Sequence, residues 1–213
     1  LTAWQVDGDG EPVPAAHALG LEPLPGRDAP VYESFEIGST WGPAWSTTWF
    51  RVEGTVPADA PEIVELTIDL GWEAHSVGGH GEALAHRPDG SPVKALHPQH
   101  GYLRLRGPGA APDLLAQDGS FVLYLEAAAN PLVLGLPPFV VTDVGEKETA
   151  QSFRHYQLRS AAVSAFDQVA WDLMRDLEVA GGLLDELSDQ HTRYWRLLDA
   201  IERATAFDGP FRT

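Results

Sequence analysis

Ile63-Val64-Glu65-Leu66-Thr67-Ile68-Asp69-Leu70 is the stretch on which the fold turns. On an extended chain Val64, Leu66, Ile68 and Leu70 share one side, and Glu65, Thr67 and Asp69 share the other. That period of two marks a strand with one buried face. Upstream, Pro57–Pro61 separates it from a second run, Ser46–Val52. Further runs of the same kind are Tyr32–Ile37, His75–His86, Val93–Leu96, Tyr102–Arg106, Ser120–Ala127 and Phe139–Val144. In Ser120–Ala127, Phe121, Leu123 and Leu125 oppose Val122, Tyr124 and Glu126, a strand apolar on both sides and so expected to be central. Short β-branched or aromatic runs with turn formers every eight to twelve residues or so are the signature of a sandwich or barrel.

The punctuation agrees. Arg87-Pro88-Asp89-Gly90 predicts a β-turn with proline at its second position, and Asp118-Gly119 predicts another. Asn130-Pro131 ends a strand, because the residue before proline is held extended and proline cannot donate to a ladder. The first thirty residues hold Gly8, Gly10, Pro12, Pro14, Pro23, Pro25, Gly26 and Pro30. So many breakers predict an irregular arm, 1–30, wrapping a β-sandwich of residues 31–150.

Beyond residue 150 the period changes. Val163, Phe166, Ala170, Leu173, Leu177, Ala180, Leu184 and Leu187 step alternately by three and four, a helical seam that needs a partner surface. Ser160 is its expected N-cap. Gly181-Gly182 is expected to kink or end it, at about 1 kcal/mol per glycine relative to alanine. A second helix is expected over 189–206, capped by Asp189 and stopped by Asp208-Gly209-Pro210. The region 151–213 thus reads as a helical linker, an αα-hairpin.

Charge and composition set limits. The 213 residues hold 31 acids against 14 bases, a net charge of −17. Of this, −14 falls on residues 1–150 and −3 on the remainder. Such a surface repels phosphates and anionic headgroups, so neither nucleic acid nor membrane is an expected partner. There is no cysteine, which removes disulfides and every thiolate metal site. No apolar run is long enough to span a bilayer, and no secretory signal follows Leu1.

Motifs for chemistry are absent: the chain has no GxGxxG, GxxxxGK[ST], GxSxG or HExxH. Asp7-Gly8-Asp9-Gly10-Glu11 starts like a calcium loop but lacks the later ligands, and reads as a glycine-rich turn. His75, His80 and His86 lie in one strand-like run, where only His80 and His86 share a side. They read as surface or half-buried histidines rather than zinc ligands. Trp41-Gly42-Pro43-Ala44-Trp45-Ser46-Thr47-Thr48-Trp49 spaces three tryptophans evenly, which puts them on one side of an extended chain. Because Thr47, Thr48, Phe50 and Val52 continue as a strand, the tryptophans read as core; if one is instead exposed as a platform for sugar rings, it is Trp41 or Trp45, which flank the Gly42-Pro43 turn.

Four segments carry a family resemblance: WGPAWSTTWFRVEGTVP (Trp41–Pro57), VELTIDLG (Val64–Gly71), DGSPVKALHP (Asp89–Pro98) and LYLEAAANP (Leu123–Pro131). With YQLRSAAVSAFDQVAWDLMRDLEVAGGLLDEL (Tyr156–Leu187), they resemble the N-terminal region of bacterial α-mannosidases of glycoside hydrolase family 38, cytosolic or vacuolar type. The resemblance implies a mainly β fold, a jelly-roll-like antiparallel β-sandwich followed by a C-terminal α-helical hairpin. It implies an accessory, non-catalytic piece of a zinc-dependent retaining enzyme acting on terminal α-mannosides, located in the cytoplasm. Zinc and the catalytic aspartate would belong to a catalytic domain of the same polypeptide, so no catalytic residue, metal ligand or cofactor is assigned here. That catalytic domain is the expected partner, with a homo-oligomer and a carbohydrate as the others weighed. A carbohydrate contact would draw on Trp41, Trp45, Trp72 and His80, the last standing where the family has a glutamine-like residue.

Overall fold

The computed structural model describes residues 1–6, 10–72, 81–130 and 156–206. Its strands are β1 (Thr2–Gln5), β2 (Glu33–Ser34), β3 (Thr40–Trp41), β4 (Thr47–Thr55), β5 (Val64–Asp69), β6 (Glu82–His86), β7 (Pro92–Leu96), β8 (Tyr102–Arg106), β9 (Ser120–Ala128), β10 (Tyr156–Gln157) and β11 (Ser160–Ala165). The described helices are α1 (Ala15–Ala18), α2 (Gln168–Asp185) and α3 (Thr192–Thr205).

All pairings are antiparallel. One sheet runs β2-β1-β4-β9-β6-β7, a second β11-β5-β8, and β10 pairs with β3. The alternation of residues 63–70 is realised in β5: Val64, Leu66, Ile68 and Leu70 are buried. They share one core cluster with Phe50 and Val52 of β4, Leu123 and Leu125 of β9 and Leu103 and Leu105 of β8. Both layers thus press apolar faces together, the jelly-roll-like sandwich expected. β9 lies inside its sheet, between β4 and β6, as its two-sided pattern demands.

The turns form as read. Gly90 takes φ +84 and its N–H donates to Arg87 O at 2.9 Å, while Asp89 Oδ1 accepts from Ser91 N–H. Gly119 takes φ +81, and a Cβ there would lie 2.6 Å from Val56 O, so glycine is required.

Several expectations are corrected. The arm is not wholly irregular: β1 inserts beside β4, with Trp4 opposite Trp49. Trp4, Val6, Val13 and Ala18 then cover Trp49 in a second cluster on that sheet's outer face. The run Tyr32–Ile37 contributes only the two-residue β2. The largest correction falls at Ser160, which starts a strand and caps no helix. β11 pairs with β5 from Ser160↔Asp69 to Ala165↔Val64, because the edge of β5 offers backbone partners that local periodicity does not register. The helix starts later, with Asp167 accepting from Ala170 N–H at 3.0 Å. Gly181-Gly182 does not end α2, which runs on to Asp185. His191, not Asp189, caps α3. The chain divides into compact units between Phe166 and Asp167, so β10 and β11 belong with the sandwich rather than with a linker starting at 151. Phe139–Val144, His75 and Asp208-Gly209-Pro210 lie outside the described residues.

Candidate functional site

The tryptophans separate according to the backbone between them. Gly42 (φ +100) and Trp45 (φ +64) turn the chain between β3 and β4, so the three rings expected on one side go to three places. Trp41 is buried between the layers, where Nε1 donates to Leu70 O at 2.9 Å and the ring stacks on Tyr156 at 5.1 Å. It has no face to offer a ligand. Trp49 is fully buried beneath the arm. Trp72 is half-buried, with Nε1 donating to Gly81 O at 2.6 Å. His80 lies outside the described residues. Trp45 alone of the three rings is 42% exposed.

Trp45 stands at the rim of a groove of about 780 Å³ on the outer face of the six-stranded sheet. Cross-strand register builds its floor. Thr47, Ala128 and Glu82 lie side by side on β4, β9 and β6, and the next row carries Glu126, Leu84 and Ala95 on β9, β6 and β7. Glu11 and Pro12 of the arm and Asn130 after β9 complete the lining.

The polar groups are ordered. Asn130 Nδ2 donates to Glu82 Oε1 at 2.8 Å. The Asn130 carbonyl accepts from the Tyr156 hydroxyl. Glu126 Oε2 lies 3.4 Å from His86 Nε2, an electrostatic contact without hydrogen-bond alignment. His86 is buried, and its Nδ1 is 3.1 Å from Gly90 O. The Glu126 carboxylate, and after it the Gly90 carbonyl, raise the His86 pKa above 6.5, against the opposing effect of burial.

Away from the groove, Lys94 Nζ donates to Tyr102 O at 2.7 Å and sits 3.5 Å above the Tyr102 ring centroid; burial lowers its pKa. Among the described residues no three His, Asp or Glu gather where they could hold a metal ion, so no zinc site can be built from them. The groove suits binding: an aromatic side chain, small apolar residues on its floor and polar groups interleaved with them. Glu11, Glu82, Glu126 and Asn130 were not singled out from the sequence as contacts. They converge from different strands and the arm, and nothing local marks that convergence.

Residues 1–164 match the family described as "Alpha-mannosidase, jelly roll domain". The chain is 30% identical over 202 residues to alpha-mannosidase 2C1 of Mus musculus, taking in 90% of this chain and 17% of that protein. It is 30% identical over 186 residues to alpha-mannosidase 2C1 of Homo sapiens, taking in 84% of this chain and 16% of that protein. The chain therefore spans about a sixth of the length of these curated relatives.

Proposed function

Because the chain belongs to the α-mannosidase jelly roll domain family, we propose that it serves as the accessory, non-catalytic portion of a zinc-dependent retaining α-mannosidase acting on terminal α-mannosides. One observation carries this reading: similarity takes in nearly the whole chain but only 17% of a much longer α-mannosidase. Zinc and the reacting carboxylates would then sit in a catalytic domain of the same polypeptide, its principal partner. The sandwich supports that role physically, since its hydrophobic interior is built from its own two layers, and the part of the outer sheet face that the arm does not cover stays open.

The test is direct. The purified chain, with and without added zinc, is incubated with an aryl α-mannoside and release of the aryl alcohol is followed. No turnover above the blank is expected. Saturable hydrolysis that co-purifies with the chain would place catalysis within it and end the accessory reading.

A further inference from the structure

The outer-face groove is bordered by an aromatic residue in an unusual backbone conformation. Trp45 holds φ +64, a left-handed conformation that is strained for a bulky residue. Backbone bonds keep it there. Trp45 N–H donates to Ala129 O at 2.7 Å, Ala129 N–H donates to Ser46 O at 2.9 Å, and Thr47 N–H donates to Gly10 O at 2.9 Å. The outcome of this bracing is a large indole held part-exposed over a groove, where a side chain in ordinary geometry would point elsewhere.

The groove's size and polarity say what fits. Its 780 Å³ lies within the roughly 300–1,000 Å³ of small-ligand sites. An anion is disfavoured, because Glu11, Glu82 and Glu126 line the groove and the chain carries −17. The carboxylates are not arranged as a cation trap either. Glu82 already accepts from Asn130, and Glu126 faces His86. They remain acceptors of further hydrogen bonds, beside an amide that can both give and take. An apolar ring face over hydrogen-bonding groups of both kinds matches a pyranose, with C–H bonds on its face and hydroxyls at its edge.

We infer that this groove binds a neutral oligosaccharide, one sugar ring stacked on Trp45 and its hydroxyls bonded to Glu82 and Asn130. The inference stands on the groove alone, so it survives or fails independently of where mannoside hydrolysis occurs.

The test is a titration of the uniformly ¹⁵N-labelled chain with α-mannobiose, maltose and cellobiose at millimolar concentrations. With at least one sugar, saturable shifts are expected at the Trp45 indole N–H and at the backbone amides of Glu82, Leu84 and Ala128. Trp45→Gly removes the ring and relieves the left-handed backbone, so it should fold while weakening binding about tenfold or more, as loss of an aromatic anchor does. Ala128→Tyr, which adds a ring on the groove-lining face of β9, should abolish binding. Three results overturn the inference: no shift with any of the sugars, sugar binding undiminished in folded Trp45→Gly, or shifts at these amides with tetramethylammonium but not with sugar. The last would make the groove a cation site.

Discussion

Glu65 belongs to the polar side of β5, yet it is only 6% exposed. Arg104 stands opposite it on β8, and Glu65 Oε1 accepts from Nε at 2.9 Å and Nη2 at 2.8 Å. The same guanidinium lies 4.6 Å from the Phe166 ring centroid, so it is held on two sides. Arg104→Ala would strand a buried carboxylate and should cost about 3–5 kcal/mol in urea unfolding. Removing Glu65 as well should recover part of that loss. His86 yields a pH prediction. Its folded pKa lies above the ordinary 6.5, so the stability it adds is full below about 6.5 and lost as pH rises through the raised value. Unfolding measured from about pH 6 to pH 8 should therefore show this contribution falling, and falling less in Glu126→Gln. Equal slopes in the two proteins would mean that Glu126 does not hold the proton. Neither pairing could be read from the chain, because the partners are 39 and 40 positions apart and alternation says only which face of its strand Glu65 or Glu126 shares.

The elements that stood out most clearly were those whose pattern and punctuation agreed. Tyr102–Arg106 is β8 without a change of boundary, and β7 and β9 differ from expectation by one residue at one end. Ser160–Ala165 was misread because its small residues suit helix and strand alike, and the long-range ladder to β5 settled the matter. In α2 the glycines remain helical at a local cost, and a Cβ at either would meet nothing within 4 Å. Gly181→Ala and Gly182→Ala should each stabilise the helix by about 1 kcal/mol. The check is greater helical ellipticity and a higher melting point of the far-ultraviolet transition. A lower melting point would show that the glycines serve a close approach. No residue of α2 or α3 is buried; of the seam, Leu173 is exposed, while Leu177, Ala180, Leu184 and Leu187 are half-buried where the two helices pack on one another.

At the scale of the molecule, the consequential join is the return of the chain after residue 155 into the sandwich. Tyr156 stacks on Trp41, Leu158 is 1% exposed, and β11 supplies β5 with six partners. A chain ending at Phe166 should therefore unfold cooperatively, whereas one ending just before Tyr156 should lose several kcal/mol or fail to fold, since each large buried side chain contributes roughly 1.5–3 kcal/mol. Thermal unfolding of the two truncations compares them, and equal midpoints would show that β10 and β11 are dispensable. Much of this architecture is local in origin. The period of two, the proline and glycine punctuation and the later period near 3.5 were enough to place a sandwich before a helical hairpin, because each arises from backbone geometry acting over a few residues. Positions that depend on distant segments were decided by folding alone. Trp41 went to the core and Trp45 to a groove, β1 joined a sheet, and Glu11, Glu82, Glu126 and Asn130 came to line one cavity. Strand register and the sign of φ at Gly42 and Trp45 set these outcomes. Both follow from which surfaces meet and which backbone groups find partners, and no short stretch of sequence contains that information.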